Sequence, residues 1–281
     1  MATSMNEKTI LITGATNGIG LVTAHELAKM GAQIVIVSRN VHKCALVTEQ
    51  IKQATGNPNI EYIAADLSNR AGVHHAAHEF KIRHTRLDVL LNNAGAMFIP
   101  RQVSEDGIEM TFALNHLSYF LLTILLLDTL KASGPARIIN VSSDAHKNGS
   151  INFDDLQMEK SYTGLAAYNQ SKLANILFTY ELARKLEGTK VTANTLHPGL
   201  VSTGFNKNNG PLMKFAMGLL TPFSRKPDEG AKTSIYLASS PEVEGVTGKY
   251  FDESKPAPSS PMSYNRATAE RLWQVSLEMI A

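Results

Sequence analysis

The chain has 281 residues, of which 43% are hydrophobic and 19% charged, and its formal net charge at pH 7 is +2. This balance is typical of a globular protein, and a nearly neutral chain has no excess of positive charge that would favour nucleic acid or a membrane surface as a partner. The single cysteine, Cys44, has no partner for an internal disulfide and the first residues lack a secretion-signal pattern, so we expect a cytoplasmic location.

Short runs of β-branched and apolar residues alternate with longer segments of helical spacing. The runs predict about seven strands, at Thr9–Ile12, Ile34–Val37, Ile60–Ile63, Leu87–Leu91, Arg137–Val141, Val191–Thr195 and Lys249–Phe251. The helical segments lie near residues 18–30, 41–55, 70–84, 107–131, 168–187, 228–238 and 266–280. This alternation predicts an α/β, doubly wound Rossmann-type parallel sheet with helices on both faces, because a parallel connection needs a long crossover.

One domain accounts for the whole chain, since single α/β domains often reach roughly 250 residues. The most apolar run, Tyr119–Asp128, is much shorter than the ~20 apolar residues of a membrane-spanning helix. We therefore interpret it as a buried helix and expect no integral membrane segment. Residues 255–261, rich in proline and serine, are predicted to form a loop before the last helix.

Two long connections break the alternation, at residues 144–167 and 200–227. Each follows a predicted strand, and open parallel sheets bind ligands at the carboxyl ends of their strands. The second connection is rich in methionine and phenylalanine, which suits a mobile apolar lid. An ordinary amphipathic helix packed on the core is the alternative.

A glycine-rich turn, Thr13-Gly-Ala-Thr-Asn-Gly-Ile-Gly20, lies between the first strand and the first helix. Glycine is needed where a side chain would block a tight turn or the approach of the backbone to a pyrophosphate. The helix then offers free N–H groups and its positive dipole end to phosphate. In this context the turn predicts a dinucleotide site rather than a simple reversal, with contacts from Gly14, Thr16, Asn17, Gly18, Ile19 and Gly20.

Arg39 follows the second predicted strand, where enzymes that prefer NAD usually carry an acidic residue for the ribose hydroxyls. A guanidinium matches a 2′-phosphate in charge and geometry. The sequence therefore favours NADP(H). A solvated surface arginine is the alternative.

Tyr168 and Lys172 lie four residues apart on a predicted helix, so their side chains reach the same pocket. A free phenol has a pKa near ~10, and a nearby cation favours its ionised form. We expect Lys172, with the positive ring of an oxidised nicotinamide, to lower the pKa of Tyr168 toward the range of acid/base catalysis. For an isolated pair of this spacing, a surface tyrosine and a solvated lysine would be the alternative.

Other polar residues accompany this pair. Ser142 and Ser143 end the fifth strand, and nothing in the local sequence decides which hydroxyl would bind a substrate oxygen. Asn115 lies in an otherwise apolar helix, where an unpaired amide costs free energy and so implies a partner. A structural amide paired with the backbone is the alternative.

Together these motifs resemble the short-chain dehydrogenase/reductase family over nearly the whole chain. They are Thr13-Gly-x-x-x-Gly-x-Gly20, Asp66-Leu67, Asn92-Asn-Ala-Gly95, Asn115, Ser143, Tyr168-Asn-Gln-Ser-Lys172 and Pro198-Gly199 with Thr203. The resemblance implies hydride transfer between NADP(H) and an alcohol or carbonyl, with Tyr168 as general acid/base. It also implies that Ser143, rather than Ser142, holds the substrate oxygen and that Asn115 belongs to a water relay reaching Lys172.

For the cofactor, the resemblance implies that Asp66 lies at the adenine and that the segment after the fourth strand supports the ribose. The implied contacts beyond the glycine turn and Arg39 are Asp66, Leu67, Asn93, Ala94, Gly95, Tyr168, Lys172, Pro198, Gly199, Val201 and Thr203. We expect a cofactor-binding half over about residues 8–142 and a catalytic and substrate-loop half over about residues 143–281. A homodimer is possible, because the helices containing Asn115 and Tyr168 pair in many relatives.

The interval of 25 positions between Ser143 and Tyr168 is longer than in many members of the family. The sequence of this interval is similar to that of the retinol dehydrogenase-like and WW-domain oxidoreductase-like branch. The same holds for two further segments, Ser171-Lys-Leu-Ala-Asn175 and Gly248-Lys-Tyr-Phe251. That branch implies a bulky apolar substrate, such as a retinoid, a long-chain aldehyde or a steroid.

Two alternative functions remain at this point. A protochlorophyllide-reductase-like enzyme shares the Tyr-x-x-x-Lys layout and an extended loop, and a cofactor-binding sensor or scaffold would keep the fold without turnover. His74 and His78 lie one helical turn apart, but no cysteine or His-Glu-x-x-His pattern joins them, so we interpret them as a solvated helix face and expect no metal.

Overall fold

A computed structural model describes residues 4–199 and 226–281. Within these residues, eight strands form one sheet. The strands are β1 (Thr9–Thr13), β2 (Gln33–Ser38), β3 (Ile60–Ala64), β4 (Val89–Asn92), β5 (Ala136–Val141), β6 (Val191–His197), β7 (Tyr250–Asp252) and β8 (Lys255–Ala257). The helices are α1 (Gly18–Lys29), α2 (Val41–Thr55), α3 (Arg70–Arg83), α4 (Met110–Ala132), α5 (Gly164–Lys185), α6 (Pro227–Ser239) and α7 (Arg266–Ile280).

The strand order is β3-β2-β1-β4-β5-β6-β7-β8, and every pair is parallel except β7 with β8. The chain runs outward from β1 to β3 on one side and then returns to place β4 on the other side of β1. The direction of winding therefore reverses between β1 and β4, and a crevice forms outside the carboxyl ends of these two strands. The predicted doubly wound α/β fold is confirmed.

Alternation along β1 explains why helices cover both faces of the sheet. Ile10 and Ile12 belong to a core cluster with residues of α1, α2 and α6. Leu11 belongs to a second cluster with residues of α3, α4, α5 and α7. Both faces are buried, as is usual for parallel strands made of continuous apolar runs.

The observed elements differ from the predicted ones in three places. Lys255–Ala257 forms β8, an antiparallel strand beside β7, where the sequence predicted a loop. Helix α5 begins at Gly164, four residues before the predicted start, because the Thr163 hydroxyl caps it by accepting from the Ala166 N–H at 3.1 Å. Helix α4 contains a π-helical turn over Ala113–Leu117, and hydrophobic spacing gives no indication of such a turn.

Helix α4 is the one helix within residues 4–199 and 226–281 that is long and apolar enough to cross a membrane by length and composition. Of its most apolar window, 72% is buried inside the protein. Phe120, Leu122 and Leu126 are among its buried side chains. Packing against the sheet accounts for its hydrophobicity, as expected for a core helix.

Candidate active site

The glycine turn after β1 is held against the chain segment that follows β4. Gly14 has a φ of 70°, a conformation that favours glycine, and its N–H donates to the Val37 carbonyl oxygen at 2.8 Å. A Cβ added to Gly14 would lie 2.7 Å from the Cα of Ala94. The backbone at Gly14 therefore has no room for a side chain, as a cradle for a pyrophosphate requires.

The amino-terminal end of α1 is open to a ligand. Its cap residue, Asn17, makes no side-chain hydrogen bond to the helix in the described part of the chain. A Cβ on Gly20 would lie 2.6 Å from Nδ2 of Asn93 and 2.7 Å from the Gly14 carbonyl oxygen, so the helix packs closely on the turn. The first N–H groups of a helix have no partner within the helix, and at this end of α1 they fit the phosphates of a dinucleotide.

Thr13 joins the glycine turn to the segment after β4. Its hydroxyl oxygen accepts from the backbone N–H groups of Asn93 at 2.9 Å and Ala94 at 3.0 Å. The Asn93 amide donates back to the carbonyl oxygens of Thr13 and Gly14, at 2.9 and 3.3 Å. The structure thus brings Asn93, Ala94 and the turn to one side of the crevice. Thr13 was not among the predicted cofactor contacts, although it begins the glycine motif.

Arg39 and Asp66 follow the next two strands outward from β1. Arg39 comes directly after β2 and is exposed. The hydroxyl of its neighbour in sequence, Ser38, lies 3.2 Å from the Thr16 hydroxyl of the glycine turn. Asp66 is partly buried and accepts from the Ser68 backbone N–H at 2.9 Å and the Ser68 hydroxyl at 2.7 Å. Leu67 is buried at 5% exposure. These positions border the crevice on the β2–β3 side.

Asn115 lies in the π-helical turn of α4 and is fully buried. Its Oδ1 accepts from the Ala96 N–H and its Nδ2 donates to the Ala96 carbonyl oxygen, both at 2.9 Å. Nδ2 also donates to the Ser171 hydroxyl at 3.0 Å. A Cβ on Gly95 would lie 3.1 Å from Asn115 Oδ1 and 3.6 Å from Lys172 Nζ. The Asn115 amide therefore pairs with backbone, as expected for an amide with a purely structural role. It lies next to Lys172.

The two serines after β5 have different surroundings. The Ser142 hydroxyl is buried and donates to the Lys172 carbonyl oxygen at 2.7 Å. The Ser143 hydroxyl hydrogen-bonds the Tyr168 phenol and accepts from the Ala145 N–H at 3.2 Å. Of the pair, Ser143 is the one that shares a site with Tyr168.

Tyr168 lies in the first turns of α5, whose start is fixed against the segment after β4. A Cβ on Gly164 would lie 2.5 Å from the Phe98 carbonyl oxygen. Lys172, one helical turn further on, is buried and donates from Nζ to the Val141 carbonyl oxygen at 3.0 Å. Its Nζ lies 5.5 Å from the centre of the Tyr168 ring. Tyr168, Lys172 and Ser143 thus meet at the carboxyl end of β5.

Burial dominates the electrostatics of this group. It raises the pKa of Tyr168 to about 12, and the hydrogen bond with Ser143 acts in the opposite direction. Burial also lowers the pKa of Lys172 to about 7. Without a cofactor, burial therefore outweighs the other influences on the pKa of Tyr168, because desolvation of the phenolate costs more than its neighbours return. The expected lowering by Lys172 together with an oxidised nicotinamide stays a prediction.

The remaining predicted positions follow β6. Pro198 and Gly199 come directly after this strand, which pairs with β5, and Gly199 has a φ of 83°. Val201 and Thr203 lie outside the described residues, and so does most of the connection interpreted as a lid. His74, His75 and His78 are exposed on α3.

Several residues that organise the site were not predicted. His146 is fully buried, lies 2.7 Å through Nδ1 from the Ser143 carbonyl oxygen and accepts at Nε2 from the Ser260 N–H at 3.0 Å. Ser171 holds Asn115 from inside the Tyr168 motif. Ser171 could have been suspected from its place in that motif, whereas the contact of His146 with Ser260 depends on tertiary structure alone.

A dinucleotide cradle beside a half-buried tyrosine and a buried lysine is typical of an oxidoreductase in which a nicotinamide carries the hydride. Comparison with known sequences supplies the family. The sequence model described as short chain dehydrogenase matches residues 8–213, and the chain belongs to this family.

Curated relatives extend over almost the whole chain. Human retinol dehydrogenase 14 is 44% identical over 292 aligned residues, covering 98% of this chain and 87% of that protein. Mouse retinol dehydrogenase 12 is 43% identical and covers 97% and 86%. Human polyprenol dehydrogenase is also 43% identical and covers 97% and 85%. The predicted resemblance to the retinol dehydrogenase-like branch is confirmed.

Solved structures share the fold. An uncharacterised protein from Mycobacterium paratuberculosis has a TM-score of 0.81 at 31% identity and covers 99% of this chain and 95% of that one. The RhlG/NADP active-site complex from Pseudomonas aeruginosa has a TM-score of 0.70 at 29% identity, with coverage of 88% and 95%. The 3-ketoacyl-(acyl-carrier-protein) reductase from Brucella melitensis, complexed with NADH, has a TM-score of 0.69 at 27% identity, with coverage of 89% and 97%.

Proposed function

We propose that this protein is an NADP(H)-dependent dehydrogenase/reductase that interconverts an alcohol and a carbonyl on a bulky apolar substrate. The observation that carries the proposal is the meeting of Ser143, Tyr168 and Lys172 at the carboxyl end of β5, beside the glycine cradle. Nicotinamide supplies or accepts the hydride when it is bound.

In the reduction direction, the Tyr168 phenol donates its proton to the substrate oxygen. Burial keeps this hydroxyl protonated at neutral pH, because it raises the pKa of Tyr168 to about 12. Ser143, already hydrogen-bonded to the phenol, steadies the same substrate oxygen as negative charge develops on it. Lys172, whose pKa burial lowers to about 7, is able to return a proton to this group near neutral pH. Asn115 keeps the neighbouring Ala96 backbone in place.

Arg39 supports a preference for NADP(H). Its guanidinium is exposed immediately after β2, on the side of the crevice where the adenosine ribose would lie. The P. aeruginosa relative was solved with NADP, whereas the B. melitensis relative was solved with NADH. Arg39 is therefore the feature of this chain on which the preference rests.

The curated relatives support an apolar substrate. Their names refer to retinol and to polyprenol, both long unsaturated alcohols. A retinal-like, long-chain or steroid-like carbonyl is the corresponding class here. The proposed location is cytoplasmic, which the single, buried Cys44 supports because a free thiol suits a reducing compartment.

The proposal is tested by mixing the protein with NADPH and four carbonyls: all-trans-retinal, a polyprenal, a long-chain aldehyde and a steroid ketone. We expect the absorbance of NADPH to fall with at least one of them. Tyr168→Phe should abolish this reaction while NADPH fluorescence still reports cofactor binding, since only the transferable proton is lost. Turnover retained in Tyr168→Phe would contradict the mechanism.

A wild-type protein that binds NADPH but reduces none of the four carbonyls would instead favour the cofactor-binding sensor. Reduction of protochlorophyllide only in light would favour the protochlorophyllide-reductase-like alternative. Neither outcome is supported by a specific contact among the described residues.

A further inference from the structure

His116, next to Asn115 in the π-helical turn, is fully buried and has no part in the mechanism above. Its ring lies among Phe112 at 4.9 Å, Phe178 at 6.1 Å and Phe120 at 6.4 Å between centres. Both ring nitrogens nevertheless have partners. Nδ1 lies 3.3 Å from Asn175 Oδ1, and Nε2 lies 3.1 Å from the Ser276 hydroxyl.

The partners of His116 determine which nitrogen carries its proton. Asn175 donates through Nδ2 to the Asn115 carbonyl oxygen at 2.9 Å and to the Val141 carbonyl oxygen at 3.4 Å. Two carbonyl oxygens on one side require the NH₂ group there, so Oδ1 of Asn175 faces His116 as an acceptor. Nδ1 of His116 must then donate, and Nε2 must accept from the Ser276 hydroxyl.

Asn175 connects this histidine to the catalytic lysine. The Val141 carbonyl oxygen that accepts from Asn175 also accepts from Lys172 Nζ at 3.0 Å. The Asn115 carbonyl oxygen belongs to the residue whose side chain holds Ala96. A change in the orientation of the Asn175 amide would therefore bring Oδ1 against two carbonyl oxygens and disturb both Lys172 and Asn115.

Ser276 brings the carboxyl-terminal helix into the same chain of hydrogen bonds. It is fully buried in α7. The helix is anchored one turn earlier by Trp273, whose ring lies 4.9 Å from Phe120 and 5.9 Å from Phe178. The direction of donation thus runs from Ser276 through His116 to Asn175 and ends at the backbone around Lys172.

We propose that His116 and Asn175 are positioning residues for Lys172 and Asn115, that Asn175 sets the tautomer of His116, and that the Ser276 hydroxyl holds the imidazole ring in place by donating to Nε2. The expected effect on turnover rests on the proposed function. The tautomer of His116 does not, and it can be measured whether or not the protein reduces a carbonyl.

The first test is ¹⁵N NMR of the imidazole groups in the folded wild-type protein at neutral pH. The His116 signal is assigned by its absence from His116→Phe or, if that variant does not fold, as the signal that Ser276→Ala moves and Ser234→Ala does not. We expect a neutral ring with the proton on Nδ1. A proton on Nε2, or an imidazolium, would overturn the proposal.

The second test compares turnover in Ser276→Ala and Ser234→Ala. Ser234 is an apt control, because its buried hydroxyl has no hydrogen-bond partner among the described residues and it lies in α6, on the opposite face of the sheet. We expect kcat to fall roughly tenfold in Ser276→Ala while KM for the carbonyl and Kd for NADPH stay within about twofold. Ser234→Ala should retain the wild-type kcat.

An unchanged kcat in folded Ser276→Ala would overturn the positioning role. So would a rise in the Kd for NADPH equal to the loss in kcat, which would indicate general damage to the cradle. A wild-type protein without any turnover would contradict the proposed function instead, and the NMR result would then still decide whether Asn175 sets the His116 tautomer.

Discussion

Two neighbouring serines illustrate how the site is made at the scale of single residues. Successive side chains of an extended segment point to opposite sides. Ser142 therefore reaches back to the Lys172 carbonyl oxygen, while Ser143 reaches the Tyr168 phenol. The sequence alone left this choice open, because the phase of the pleat at a strand end depends on the packing of the strand against α5.

Arg39 carries a prediction at the same scale. Arg39→Ala should lower the ratio of kcat/KM for NADPH to that for NADH by roughly tenfold or more, since a charge-assisted contact with a 2′-phosphate is worth about 1.5–3 kcal/mol. Initial rates with each cofactor at a fixed carbonyl concentration measure the ratio.

The matched control is Lys29→Ala, which removes an exposed cation at the far end of α1. We expect it to leave the ratio unchanged. A ratio unaffected by Arg39→Ala would mean that Arg39 is the solvated surface residue of the alternative interpretation.

At the scale of elements, the contact of α1 with the glycine turn sets how closely a phosphate can approach the helix. Gly20→Ala would place a Cβ 2.7 Å from the Gly14 carbonyl oxygen, and a backbone atom cannot swing away as a side chain can. We expect the affinity for NADPH to fall at least about tenfold, because the helix end must shift by a fraction of an ångström. Fluorescence titration of NADPH measures this loss.

His25→Ala is the control for this variant. It changes a partly exposed side chain one turn further along α1 without altering the turn. Normal NADPH affinity in Gly20→Ala would show that the helix tolerates the displacement and that the close packing is not needed for binding.

Most elements follow from hydrophobic periodicity, because both faces of a parallel sheet are buried and each helix has a face against it. Strand β8 could not be predicted in this way, since Lys255–Ala257 is three residues long and contains a proline, which usually indicates a loop. The π-helical turn at Asn115 was also missed. Its hydrogen-bond partners include the Ala96 backbone and the Asn175 side chain, which are distant in sequence.

At the scale of the whole molecule, buried histidines make stability depend on pH. Burial lowers the pKa values of His84, His116 and His146, in the case of His116 to about 4. The unfolded chain binds protons at these residues near pH ~6.5, whereas the native chain does not. The free energy of unfolding is therefore unaffected by them above pH ~6.5 and falls as the pH drops from there toward 4.

For His116 alone, the linkage predicts a loss of about 2 kcal/mol between pH 7 and pH 5. Urea unfolding at the two pH values measures it, and His116→Gln should show a smaller loss than the wild type. His74→Gln, on the exposed side of α3, should show the same loss as the wild type. Equal losses in all three proteins would contradict the assignment to His116.

The candidate site was predictable wherever one short motif contains its residues, as with Gly14 and Gly20 or Tyr168 and Lys172. It was not predictable where the fold joins distant segments. His116, Asn175 and Ser276 come from three different helices, and no spacing in the sequence relates them. The burial that raises the pKa of Tyr168 was not predicted for the same reason, since the sequence shows a neighbouring cation but not the depth of burial.

The strand β8 has a consequence for self-association. Pro256 lies in this edge strand opposite Phe251, and proline has no N–H to offer a further strand, while Lys255 adds a charge. Both features discourage another chain from extending the sheet at this edge. Helix α7 also covers parts of α4 and α5, so a homodimer built on that face would have to displace Trp273 from its aromatic neighbours. Pro256 and Lys255 thus protect the β8 edge of the sheet from the edge-to-edge pairing that leads to aggregation.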